Sequence, residues 1–341
     1  MTSSVVYKVG MSLTGRLSHL PDSQKIFGAL VYLYAELYSS QEATALVAKV
    51  RDGEVYVSLS NMFPGDYWPV PHAYLLDRLR EWNLGEEPEN RIERKQIYQA
   101  LKKRSYAPLE QISHMLEDPR QAVQAFPYVC IESTHHIHIS IDSLRYDMPG
   151  LDSKVYSIPE IAVTEIRDSN SKPTMMTDFS FYIEMDDRSE STKIVEALQH
   201  AMERQRRFFL GPRTSQGLNT FVISRIRQER QDRVHQGGAY LNMGMLLPGK
   251  IDFDQSYIKL FTSERRPYHL PSGWDKKAFS RKFISFVDAG SIVYLTGDLT
   301  EAGRSIPSPY LKARDIVFGN AFLWPIQLDR RSEDGRTDQN S

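Results

Sequence analysis

The segment of this sequence best suited to hold a ligand is LGPRTSQGL, residues 210–218. Gly211 and Gly217 bracket Arg213, Thr214, Ser215 and Gln216, four side chains that donate hydrogen bonds. The two glycines let the backbone approach a ligand closely and take positive φ. Arg206 and Arg207 stand just ahead, and Phe208 and Phe209 after them can stack on bases or fill the core. Amides and guanidinium groups in this pattern make an anion nest fitted to a sugar-phosphate backbone. The same residues also suit an ordinary helix-to-strand turn. No GK[ST] follows, and Pro212 removes one N–H, so this is not a nucleotide-hydrolysing phosphate loop.

Acid–base or nucleophilic catalysis needs a positioned pair with a tuned pKa. His19, in a loop ahead of the first helix, is a candidate acid or base on RNA. His136 and His138 share one face of a predicted strand, beside His135. No cysteine or carboxylate stands at metal-ligand spacing near them, so a solvated strand face is expected. Asp22 is accounted for as a helix cap and Asp142 as a turn cap. The expectation is therefore no catalytic residue, no metal and no cofactor. A second candidate for ligand contact is the long excursion 144–177, which mixes Arg145, Tyr146, Met148, Lys154, Tyr156, Ile158 and Met175. Aromatic and apolar tips beside basic residues can wedge between stacked bases; the alternative is a surface hairpin with no ligand.

A net charge of −1 hides clustering. Arg204, Arg206, Arg207, Arg213, Arg225, Arg227, Arg230 and Arg233 face only Glu203, Glu229 and Asp232 between residues 200 and 236. Smaller basic clusters lie at 91–104 and 265–282. Local fields of this kind bind phosphates even when the whole chain is near neutral. The chain has 341 residues and a mass of 39.3 kDa, with 41% hydrophobic and 25% charged residues. That is too long for one compact core and too apolar for a disordered chain. Cys130 is the only cysteine, which excludes an intrachain disulfide and a thiolate metal cluster. No run reaches the roughly 20 apolar residues of a membrane helix, and the N-terminus lacks a signal-peptide layout, so a cytoplasmic protein is expected.

The elements that must position these residues follow from periodicity. A strand is predicted over Val5–Leu13, an amphipathic helix over 22–38, a second over 41–50 and a strand over 55–59. The proline-interrupted run 61–75 reads as extended, 83–95 as a mobile surface segment, and 95–104 and 108–116 as helical. Strands are predicted over His136–Ser143, Phe179–Met185 and Leu218–Ile226, with a helix over 191–206. With insertions set aside, the order is β-α-β-β-α-β, shared by ferredoxin-like and RNA-recognition domains. The remainder reads as strands: Tyr257–Phe261, a hairpin of Phe283–Val287 with Ser291–Leu295, and Ile316–Ile326. The expected fold is thus α+β. A ferredoxin-like domain over 1–226 carries the inserted excursion 144–177. A smaller, mostly-β second domain, also ferredoxin-like, spans 227–328, and 329–341 is a disordered tail.

Five segments, in chain order, resemble the Csm subunit four family, the Cas-five-like RAMP protein of type III-A CRISPR effectors. They are DSQKIFGALVYLYAELY, SNMFPGDYWPVP, HIHISIDSL with KVYSIPEIAV, LGPRTSQGLNTF, and FVDAGSIVYL with ARDIVFGNAFLWPI. Together they cover most of residues 1–326. The resemblance implies a non-catalytic RNA-binding scaffold for antiviral defence. It would hold the 5′ handle of the guide RNA (crRNA) and join the large polymerase-like signalling subunit to the Csm backbone subunit. By position, the handle would meet Arg206, Arg207, Gly211, Arg213, Thr214, Ser215, Gln216 and Gly217, with Lys25 at the start of the first helix. A thumb within 144–166, carrying Arg145, Tyr146, Met148, Lys154 and Tyr156, would press between guide and target RNA near the guide 5′ end. Three positions depart from the family pattern: Ser143 stands in place of an arginine, Asn219 in place of a glycine, and the loop has one glycine where two are common. The rival reading is a RAMP endoribonuclease that trims precursor guide RNA through His19 or the histidines at 135–138.

Overall fold

The computed structural model of the chain describes residues 4–81, 88–140, 154–167, 172–229, 238–264, 282–309 and 315–328. Strand β1 (Ser4–Leu13) opens it. The Asp22 carboxylate then caps α1 (Ser23–Leu37), accepting from the Lys25 amide at 3.0 Å. Ile26, Phe27, Leu30, Leu33 and Tyr34 form the buried stripe of α1. Ser39 caps α2 (Ser40–Asp52), and Gly53, at φ 76°, ends it. Short strands β2 (Val57–Leu59), β3 (Phe63–Pro64) and β4 (Tyr67–Pro69) follow.

Two local expectations fail next. The run read as extended through residue 75 ends in α3 (His72–Glu81), because Pro71 sits just ahead of the helix, where its missing N–H breaks no bond. Residues 88–95, read as a mobile segment, are the first half of α4 (Pro88–Lys103), which is held by its buried Ile97 and Leu101. The rest of that reading, 83–87, lies outside the described residues. After β5 (Tyr106–Pro108) and α5 (Leu109–Glu117), strand β6 (Tyr128–Ser140) pairs along its length with β7 (Lys154–Ile166). The strand expected to begin at His136 thus begins at Tyr128.

The chain continues through β8 (Thr174–Met175), β9 (Asp178–Asp186), α6 (Ser189–Glu203), β10 (Arg207–Phe209) and β11 (Thr220–Glu229). The main sheet runs β10-β11-β1-β9-β2, all antiparallel, with β3 also on β9. Central strand β9 is buried on both faces. Phe179, Phe181 and Ile183 meet the core under α1, α2 and α6, while Tyr182 meets a second core. A second sheet, β4-β5-β6-β7-β8, holds the long hairpin.

The C-terminal part comprises β12 (Ala239–Asn242), β13 (Ile251–Tyr257), β14 (Leu260–Glu264), β15 (Phe283–Val287), β16 (Ile292–Leu295), β17 (Ile306–Pro307), β18 (Ile316–Val317) and β19 (Leu323–Ile326). Here three readings are corrected. Tyr257–Phe261 straddles two strands. The expected hairpin of Phe283–Val287 with Ser291–Leu295 does not form: β15 pairs with β14, and β16 with β12 and β13. The buried Asn242 amide donates to the Val287 and Asp288 carbonyls at 3.0 Å, steering the chain from one sheet to the other. The last strand is split, because Gly319 packs against Leu247 and the Arg304 carbonyl; a Cβ there would lie 2.3 and 2.5 Å from them. Among the described residues of this part there is no α-helix, so the helices of a second ferredoxin-like unit are not among them.

Candidate nucleic-acid interface

The glycine-bearing loop starts where α6 stops. Gln205 turns left-handed (φ 50°), and the Gln205 and Arg206 amides donate to the Met202 and Ala201 carbonyls at 3.0 and 2.9 Å. This C-terminal cap ends the helix at Glu203, short of the predicted 206. Phe208 enters the core and Phe209 stays exposed. Arg213 is left-handed (φ 62°) and leads a single 3-10 turn, Thr214–Gln216, that Gly217 (φ 75°) closes. The Gln216 and Gly217 amides are used inside the turn, donating to the Arg213 and Thr214 carbonyls. The Thr214 and Ser215 amides find no backbone acceptor among the described residues. A left-handed residue followed by two free amides is the geometry of an anion nest.

Gly211 is not left-handed, contrary to the sequence reading; it is needed for space. A Cβ there would lie 2.6 Å from His19 Cε1 and 2.7 Å from Asn219 Nδ2. The 211–219 loop is therefore packed against residues 14–20. The Arg16 amide donates to the Gly217 carbonyl at 3.1 Å, and the Asn219 amide to the Arg16 carbonyl at 2.7 Å. Asn219 is fully buried and left-handed (φ 55°). Its side chain accepts from the Ser18 amide at 3.0 Å and donates to Ser18 Oγ and the Pro212 carbonyl at 2.8 and 3.1 Å. Asparagine suits this position, since it tolerates the left-handed conformation better than other non-glycine side chains.

Lys25 joins this cluster. Its ammonium pairs with Asp22 at 2.7 Å and lies close enough to His19 to disfavour imidazole protonation. Arg206 does not join. It pairs with Glu36 at 2.5 Å, near the far end of α1, roughly 16 Å along the helix axis from Lys25. Arg207 and Arg213 are exposed, and neither meets a carboxylate among the described residues. The middle of the β6–β7 ladder abuts the same cluster: Arg16 pairs with the buried Glu160 at 2.7 Å, and the Ile161 amide donates to the Leu17 carbonyl at 2.8 Å. Arg145, Tyr146 and Met148 lie outside the described residues. Lys154 and Tyr156 appear as backbone positions of β7, opposite Ser140 and His138. His135 Nδ1 lies 3.2 Å from Ser157 Oγ on the exposed hairpin.

Arg16, Ser18, Glu160 and the packing role of His19 are not signalled by any motif. His19 Nδ1 sits 2.9 Å from Ser18 Oγ, and its Nε2 is buried without a partner among the described residues. Burial, then the Lys25 charge, lower its pKa to about 4. The imidazole is therefore neutral in the folded protein at neutral pH. Its contribution to stability is complete above the unfolded value of 6.5 and is lost as pH falls from there toward 4, by at most about 3 kcal/mol. Urea unfolding between neutral pH and about pH 4.5 checks this: H19Q should flatten the decline in that window, and an unchanged decline would show that other groups cause it.

No protein-family model matches the chain, and no curated protein matches it. Solved structures do. A chain of a Csm1–Csm4 cassette in complex with AMPPNP has a TM-score of 0.54 at 15% identity, over 96% of this chain and 99% of that one. Chains of Csm1–Csm4 cassettes in complex with cA4 and with pppApA each have a TM-score of 0.51, at 15% and 16% identity, over the same shares. The likeness to Csm subunit four drawn from the sequence is borne out in the fold across nearly the whole chain.

Proposed function

We propose that this chain is the Csm4-type subunit of a type III-A CRISPR effector, a non-catalytic, cytoplasmic scaffold that holds the guide-RNA 5′ handle. In this reading it bridges the large polymerase-like subunit and the Csm backbone subunit, and the β6–β7 hairpin is the thumb set between guide and target RNA. The spatial strand order β11-β1-β9-β2, with α1 and α6 on one face, supports a ferredoxin-like core. The observation that carries the RNA-binding reading is the convergence of the 211–217 turn, residues 14–20 and the start of α1. That convergence presents free Thr214 and Ser215 amides beside the exposed Arg213. The neutral, enclosed His19 supports a packing role there rather than proton transfer.

Co-expression with a repeat–spacer array should copurify guide RNA with the full chain. Replacing Arg213 by alanine should leave stability within about 0.5 kcal/mol, since the side chain is exposed. It should also weaken handle binding and reduce the log–log salt slope by about 0.7, one phosphate contact on a single strand. An unchanged slope removes Arg213 from the contact set. Purified chain should leave labelled repeat RNA intact; reproducible cutting that His19→Ala abolishes would favour the endoribonuclease instead.

A further inference from the structure

The main sheet is covered unevenly. Val9 and Met11 of β1 point to the helices, so Gly10 and Ser12 lie on the opposite face. Over β1, β9 and β2 that opposite face is buried by Phe63, Trp68 and Phe322, which pack with Val6 and Tyr182. At the β10–β11 end none of the described residues continues that cover. Arg207 stands opposite Val222, which stands opposite Ser12; Arg225 stands opposite Gly10 and Arg227 opposite Lys8. Arg207, Phe209, Arg225 and Arg227 therefore share this open face. Phe209 is 59% exposed, although the adjacent Phe208 is 5% exposed on the helix side.

The charges around this ring are asymmetric. Arg207 and Arg225 meet no carboxylate among the described residues, and Arg227 has only Glu229, at 3.7 Å. Farther across the face, Lys8 is neutralised by Asp66, and Asp178 accepts from Ser12 at 3.2 Å. Among the described residues of this face, the free positive charge thus lies in the row of Arg207 and Arg225, which starts beside Phe209, one residue before the 210–217 loop. An exposed aromatic ring at the end of a row of unpaired guanidinium groups is suited to a base stacked on the ring with the phosphates that follow it held along the row.

We propose that the β10–β11 face is a second RNA subsite, in which Phe209 stacks on an unpaired base and Arg207 and Arg225 hold the neighbouring phosphates. The occupant is single-stranded RNA continuing from the strand held by the 211–217 loop, so the proposal rests on the RNA-binding reading above. Charge complementarity and continuity with that loop favour RNA over a protein partner for this face.

The test uses the full chain and a fluorescein-labelled oligouridylate, followed by anisotropy at several salt concentrations. A second strand carries 2-aminopurine, whose emission is quenched by stacking. Phe209→Leu should weaken binding about tenfold and abolish the added quenching while leaving the salt slope unchanged. Phe209→Trp should retain both affinity and quenching. Arg207→Ala and Arg225→Ala should each reduce the slope by about 0.7. If Arg213→Ala weakens binding but Phe209→Leu changes neither affinity nor quenching, this subsite is wrong and the loop reading stands. If the wild-type chain binds no RNA even at low salt, both fail. Loss of a copurifying protein subunit in Phe209→Leu, with RNA affinity and quenching unchanged, would make the face a protein contact and overturn the proposal. Unchanged melting temperatures of the variants exclude misfolding as the cause.

Discussion

Replacing Phe322 by alanine is expected to lower the unfolding free energy by about 3–5 kcal/mol, measured by urea denaturation. Phe322 is fully buried and stacks on Tyr182 of the main sheet, with ring centroids 5.2 Å apart and planes at 11°. Trp68 lies 5.5 Å from the same Tyr182 ring and 4.7 Å from Trp324, so the cavity would open inside a cluster of large rings that cannot close around it. The backbone is tied as well, since the Phe322 amide donates to the Leu59 carbonyl and the Met243 amide to the Phe322 carbonyl, both at 3.0 Å. Phe322→Leu should cost clearly less, because most of the volume is retained. A loss below about 1 kcal/mol for the alanine variant would show that the C-terminal strands do not depend on this contact.

Asn219→Ala should cost about 3–4 kcal/mol, combining a non-glycine residue held left-handed with the loss of three buried side-chain hydrogen bonds. Asn219→Gly separates the two effects. It relieves the backbone but leaves the Ser18 amide and the Pro212 carbonyl short of a partner, so about half the loss should remain. Both variants should also weaken RNA binding, because Asn219 joins the 14–20 and 211–217 segments from which the proposed nest is built. Equal stability of the glycine and alanine variants would show that backbone conformation at this position is unimportant.

Much of the frame was legible because it is encoded locally. The α1 stripe and its Asp22 cap, the run of β-formers in β1 and the Gly217 turn are set by neighbours in sequence, and local pattern captures them. Partner choice among strands is not local. The run Phe283–Leu295 has the composition of a hairpin, yet its halves enter different sheets because Asn242, some 45 residues away, binds the carbonyls at the bend. The site divides in the same way. Arg213, Gly217 and the adjacent donors announce themselves by type and spacing. Arg206 carries the same charge but is held by Glu36, and Gly211 serves close packing rather than positive φ. Ser18, His19 and Glu160 belong to no motif and enter only through contacts between segments distant in the chain.

By itself the sequence determined the types of the core elements, the Asp22 cap and the chemistry concentrated at residues 206–217, since each depends on side chains a few positions apart. Only the tertiary structure decided which charges are already paired, which of two adjacent phenylalanines faces solvent, and that the loop at 211–219 rests on residues 14–20. Those outcomes depend on burial and hydrogen bonding between segments roughly two hundred residues apart, and no local pattern carries that information.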